Sequence, residues 1–131
     1  MKTILVDAVY AFVVKTEQGF SIYKPMHEML DQFPNPKIVL TGADDEQVKE
    51  FGLTALPYEL FSLKHNPEKS DPKYYTLMLE HFGLMAEDVV YFEHNADAVK
   101  SAQSVGITTY HYDPEARNID LLRSFLAANL D

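Results

Sequence analysis

The feature that most restricts the fold is an apolar run that stops abruptly at a polar residue, and it recurs along the chain. Ile4-Leu5-Val6 ends in Asp7, Ile38-Val39-Leu40 in Thr41-Gly42, and Val89-Val90-Tyr91-Phe92 in Glu93-His94-Asn95. Runs this short and rich in β-branched residues predict strands buried on both faces, as in the middle of a parallel sheet. Tyr58–Ser62 and Ile107–Tyr112 read as two further strands.

Helical segments fill the intervals. Pro25 opens one whose Met26, Met29, Leu30 and Phe33 share a face, and Pro34 and Pro36 end it. A second is predicted over Asp44–Phe51, with acids in its first turn and Gly52 as its stop. Ser70-Asp71-Pro72-Lys73 starts a third that carries Tyr75, Met78, Leu79 and Phe82 at helical spacing and ends at Gly83. A fourth places Ala98, Val99, Ala102 and Val105 on one face and stops at Gly106, and Asn118 caps a last one striped by Leu121, Leu122, Phe125 and Leu126. Tyr10–Val14 and Phe20–Tyr23, around Lys15–Gly19, predict a β-hairpin directly after Asp7. The fold class is therefore α/β: a doubly wound parallel sheet of about five strands with helices on both faces.

At 131 residues the expectation is one domain over 1–131. A net charge of -9 argues against nucleic acid or an anionic membrane as partner. With no cysteine, disulfides, thiolate metal sites and thiol nucleophiles are excluded. Asp7 interrupts the apolar stretch Ile4–Val14 and only Lys2 precedes it, so a signal peptide is not expected, and no apolar run reaches membrane-spanning length. These readings make a cytoplasmic protein the expectation.

Strands of a parallel sheet point one way, so the polar residues that end them gather along one edge, where open α/β sheets bind ligands. That edge should hold Asp7, Thr41 and Glu93-His94, with Lys73 delivered by the start of the third helix. A carboxylate nucleophile, a hydroxyl for a phosphoryl oxygen and a neutralising ammonium are what phosphoryl transfer through an aspartyl intermediate requires. Plainer roles also fit: Asp7 ending its strand, Thr41 or His94-Asn95 capping the helix that follows, the lysines solvated. His65, His81 and His111 lack ligand-like spacing and read as surface or satisfied residues.

These motifs, in this order, resemble the haloacid dehalogenase superfamily almost end to end. ILVDAV resembles the family's nucleophile strand with Asp7, KIVLTGAD its second motif with Thr41, and EKSDPKYYTLMLEHFGL its third, the lysine matching either Lys69 or Lys73. DVVYFEHNADAVKSAQSVGI resembles the fourth. The resemblance implies a phosphohydrolase acting on a phosphorylated substrate, with Mg2+ held by Asp7, the Val9 carbonyl, Glu93 and His94, and Asp97 as a further oxygen donor. It also implies that the hairpin from Tyr10 to Tyr23 stands where many members insert a cap domain, leaving an open site of the kind that acts on large substrates or borrows a second copy in a homo-oligomer as a lid.

Two departures set the alternatives. Phosphatases of the family place a second Asp, the general acid and base, two residues after the nucleophile, and here that position is Val9. General acid-base help is worth roughly 10² to 10⁴ in rate. The family's acidic pair after the fourth strand is Glu93-His94, and imidazole suits zinc, iron, copper or nickel better than magnesium. A catalytically inactive binding or interaction protein is thus the rival reading. A phosphoacceptor receiver domain is a third, set back by Ala8 beside Asp7 and by Ser62-Leu63 where an acceptor Asp should stand.

Overall fold

The computed structural model describes residues 1–130. Five parallel strands form the sheet: β1 (Thr3–Asp7), β4 (Lys37–Thr41), β5 (Glu59–Ser62), β6 (Val89–Glu93) and β7 (Thr108–His111), in the spatial order β5-β4-β1-β6-β7. The hairpin is a separate antiparallel pair, β2 (Val13–Thr16) and β3 (Gly19–Ile22). The helices are α1 (Lys24–Leu30), α2 (Asp45–Glu50), α3 (Pro72–Phe82), α4 (Ala96–Ser104) and α5 (Ile119–Asn129). None of them is long and apolar enough to cross a membrane.

Alternation along β1 splits the core in two. Ile4 and Val6 pack with Met26, Met29 and Leu30 of α1 and with Leu122 and Leu126 of α5. Leu5, between them in sequence, points the other way, toward Tyr74, Tyr75 and Met78 of α3 and Ala102 of α4. Every residue of β1 and β6 is buried, as strands covered by helices on both faces must be.

Strand order decides against the receiver reading. Numbered along the chain, the parallel strands run 3-2-1-4-5, whereas receiver domains follow 2-1-3-4-5. The order reverses between β1 and β6, and in open α/β sheets the ligand crevice lies beyond the C-terminal ends of the strands at such a reversal.

Most elements match their sequence signals to within a residue or two. The hairpin begins later than the β-rich composition from Tyr10 suggests. Tyr10 to Phe12 coil instead of extending: the Phe12 amide donates to the Asp7 carbonyl at 3.1 Å, the Val13 amide to Ala8 at 3.0 Å, and the Tyr10 amide to Val13 at 2.8 Å. These bonds hold Tyr10 at φ 71, a region that a non-glycine residue enters at a cost of about 1–2 kcal/mol. Among the described residues, this turn and the hairpin connect β1 to α1.

The hairpin is clamped at its far end by Gly52. That residue follows α2 at φ +68, and a Cβ there would lie 3.1 Å from the Phe20 carbonyl oxygen. Gly52→Ala should therefore lower stability by about 1–2 kcal/mol, through left-handed strain and the displaced contact together. The urea unfolding midpoint measures it, and an unchanged midpoint would show that the hairpin is not held there.

Candidate functional site

β1 and β6 are neighbours in register, with Leu5 opposite Tyr91 and Val6 opposite Phe92. One residue further on, the strands end in Asp7 and Glu93. Side chains on adjacent strands at one level point to the same face, so these two carboxylates come together. Asp7 is 2% exposed and Glu93 1%.

Lys69 answers that charge. Its ammonium donates to Asp7 Oδ1 at 2.9 Å and to Glu93 Oε1 at 2.8 Å. The lysine is held by the turn leading into α3: the Asp71 amide donates to the Glu68 carbonyl at 3.0 Å, and Ser101 Oγ of α4 donates to the Ser70 carbonyl at 2.7 Å. Of the two lysines proposed from sequence, Lys69 therefore reaches the carboxylates. Lys73 does not: it is exposed in the first turn of α3, whose cap is the Asp71 side chain bonded to its backbone amide at 3.0 Å. A residue at the first turn follows the helix outward, whereas one ahead of the cap lies where the chain crosses the sheet edge.

His94 supplies the second cation. Its backbone amide donates to Asp7 Oδ2 at 3.0 Å, its ring Nδ1 also bonds Asp7 Oδ2, and Nδ1 lies 3.3 Å from Glu93 Oε2. Glu93 is further bound by the Tyr91 hydroxyl and by the Asn95 amide, the latter at 3.0 Å. Asn95, with its side chain accepting from the Ala98 amide at 3.0 Å, is the cap of α4, so His94 is free for the carboxylates.

The charges tune one another. Burial, and then Glu93, push the Asp7 carboxyl up from its ordinary value, against the pull of Lys69 and His94. Burial is the largest influence on Glu93 and would raise it too, but the charge of Lys69 and the hydrogen bonds with His94, Asp7 and Lys69 together outweigh it and hold Glu93 below the usual carboxylate range. Burial likewise disfavours the Lys69 ammonium, yet Asp7 and Glu93 keep it charged, well above its ordinary value. The hydrogen bonds to Asp7 and Glu93 push His94 up to about 10.

The carboxylates line a cleft of about 390 Å³. Its walls include Thr41, Gly42, Val9, Asp97 and the loop of His65 and Glu68. Thr41 is buried, and its hydroxyl accepts from the Ala43 amide at 3.2 Å; Asp44, not Thr41, caps α2. His65 bridges Glu68 and Gln47 at 2.6 Å and 2.5 Å across the rim. Tyr91 escaped the sequence reading as a site residue. Its signal was parity: two residues before Glu93 on a strand, it shares that residue's face.

Asp7, Glu93 and His94 present ligand atoms within 4.8 Å of one another. Magnesium takes hard oxygen ligands in near-octahedral geometry. Here one of the three donors is an imidazole, and the carboxylate oxygens already hold Lys69, His94, Tyr91 and Asn95. This donor set does not fit magnesium.

Solved structures share this architecture. A haloacid dehalogenase-family enzyme from Bacteroides thetaiotaomicron, an Asp-to-Ala variant in complex with magnesium and inorganic phosphate, superposes with a TM-score of 0.69 at 12% identity over 87% of this chain and 95% of its own. This chain has the haloacid dehalogenase-like fold. A haloacid dehalogenase-like protein from Agrobacterium tumefaciens gives 0.65 at 17% identity over 88% of this chain and 64% of its own. The L-2-haloacid dehalogenase of Xanthobacter autotrophicus, with chloropropionic acid covalently bound, gives 0.58 at 20% over 86% and 52%. The chain thus spans about two thirds of the Agrobacterium protein and about half of the Xanthobacter one. No protein-family model and no curated protein matches the sequence.

Two predictions follow from the ion cluster. Lys69→Met leaves two buried carboxylates without their shared ammonium and should destabilise by about 3–5 kcal/mol at neutral pH. The deficit should shrink on acidification, because a carboxyl whose folded-state pKa has been raised adds stability at low pH. Chemical denaturation of parent and variant at pH 4 and pH 7 tests it. For His94 the sign is opposite: a folded pKa of about 10 against about 6.5 unfolded gives stability that is complete below the unfolded value and lost as pH rises through the folded one. The stability gap between parent and His94→Asn should therefore narrow from pH 6.5 to pH 10. A gap constant over that window would show that His94 is not an imidazolium.

Proposed function

We propose that this chain is a capless hydrolase domain of the haloacid dehalogenase type that acts on phosphate esters through Asp7. The observation that carries the reading is the contact between Lys69 and Asp7 at the strand ends of the order reversal. In this scheme an Asp7 oxygen attacks phosphorus, the ester oxygen leaves with its electron pair, and water then cleaves the aspartyl phosphate. Lys69 neutralises charge on the incoming phosphoryl group, and Thr41, which also lines the cleft, offers a hydroxyl.

Val9 leaves no acid at the family's usual position, so the leaving group departs without that proton. Substrates with good leaving groups are favoured. An aryl phosphate should turn over about 10² to 10⁴ faster than an alkyl phosphate. The roles of Lys69 and Thr41, the phosphorylated substrate and assembly into a homo-oligomer that covers the open cleft belong to this proposal.

The rival reading, a binding protein without turnover, draws on one observation: both oxygens of Asp7 already accept hydrogen bonds from protein donors. The two are separated by hydrolysis of an aryl phosphate by the parent and by Asp7→Asn, assayed with and without added divalent cation. Turnover by the parent alone supports the hydrolase. Equal background from both supports the binding protein.

A further inference from the structure

The arrangement around Asp7 and Glu93 carries a more specific assignment, resting on the proposal that the cleft receives a phosphoryl group. Two carboxylates stand on adjacent strand ends with four oxygens between them. Lys69 takes Asp7 Oδ1 and Glu93 Oε1, and His94 takes Asp7 Oδ2 and lies 3.3 Å from Glu93 Oε2. Two basic groups thus face two carboxyl groups. A divalent ion bridging the same oxygens would have to displace the His94 ring from Asp7 and leave Lys69 as surplus positive charge.

His94 is also built to look outward. Its side chain is 26% exposed and lines the cleft, and Nε2 makes no hydrogen bond among the described residues. The ring is braced rather than loose: Tyr10 meets it edge-on with centroids 5.7 Å apart, and His111 Nε2 bonds the His94 carbonyl at 2.9 Å. The φ of 71 at Tyr10 thus sits beside the one ring that faces both carboxylates and cleft. The T-shaped contact packs the ring in place without supplying an acceptor that would occupy Nε2.

We infer that His94 does the work of a divalent cation in this cleft, its Nδ1 joining Asp7 to Glu93 while its Nε2–H binds an oxygen of a phosphoryl ligand. No metal is then needed to bring a dianion to the carboxylates. The imidazolium supplies one positive charge and a directed hydrogen bond where a bound ion would supply two charges and open coordination positions.

Two titrations of the intact protein decide it. In the first, magnesium chloride is added while the His94 ring signals are followed in nitrogen-15 correlation spectra, assigned with His94→Asn, and the melting temperature is recorded. The expected result is no movement of either. His94→Asp restores an acidic pair, and its melting temperature should rise by about 5 °C when magnesium reaches ten times its dissociation constant. In the second, inorganic phosphate is titrated calorimetrically: the parent should bind it equally with and without magnesium, and His94→Asn should weaken it about tenfold.

A parent whose His94 signals shift with magnesium, or that binds phosphate only with it, overturns the assignment and leaves the hydrolase reading intact. A His94→Asp protein as indifferent to magnesium as the parent also overturns it, since His94 would not be what excludes the ion. If that variant fails to fold, the parent's two titrations still decide. Absence of phosphate binding under every condition removes the phosphoryl reading of the cleft and the outward role of Nε2 with it.

Discussion

Two buried carboxylates at one level of a parallel sheet cannot both stay ionised unless a cation lies between them, and the structure around Asp7 and Glu93 is organised by that requirement. Pairing of β1 with β6 brings the acids together, and nothing on the sheet itself supplies the opposite charge. It comes from Lys69, 62 residues beyond Asp7 along the chain. Desolvating charged groups is costly enough that such a cluster survives only when every member is bonded. The supporting bonds are consistent with this: Tyr91 and Asn95 complete Glu93, and the His94 amide and ring complete Asp7.

The apolar runs made the sheet legible because a strand buried on both faces has almost no other sequence it can adopt. Asp7, Thr41 and Glu93 were legible for the same reason: each is the first polar residue after such a run. Direction of travel in a parallel sheet then placed them on one edge. Strand order was not readable from patterning, since right-handed crossovers allow both 3-2-1-4-5 and 2-1-3-4-5 with the same alternation of elements. Ala8 beside Asp7 and Ser62-Leu63 weighed against a receiver domain, but the order itself comes from the structure.

What stayed hidden was direction at the level of single side chains. Lys69 and Lys73 flank the same cap and differ by four positions, so sequence could not say which looks back at the sheet. The turn of Glu68 and Asp71 decides it. Tyr10 was read as the start of a strand because its neighbours are β-formers. Yet the amides of Phe12 and Val13 find Asp7 and Ala8 before they find a partner strand. His94 carried two local signals, a site next to a helix start and a place in the fourth motif, and only contacts across 87 residues separate them.

The bonds that satisfy Asp7 in the core also restrain it as a nucleophile, and the same residues resolve the conflict. An anionic ligand entering the cleft competes for the donors that now hold the carboxylate. Each hydrogen bond transferred from an Asp7 oxygen to a ligand oxygen exposes a lone pair on Asp7 and places positive charge where the ligand is negative. The exchange leaves no donor buried and unpaired, so it avoids the penalty that breaking the cluster by mutation would incur. Glu93, retained by Tyr91 and Asn95, holds Lys69 in place meanwhile. A site whose carboxyl oxygens are satisfied by protein donors can therefore still open, provided that what enters is itself an acceptor of the same two cations.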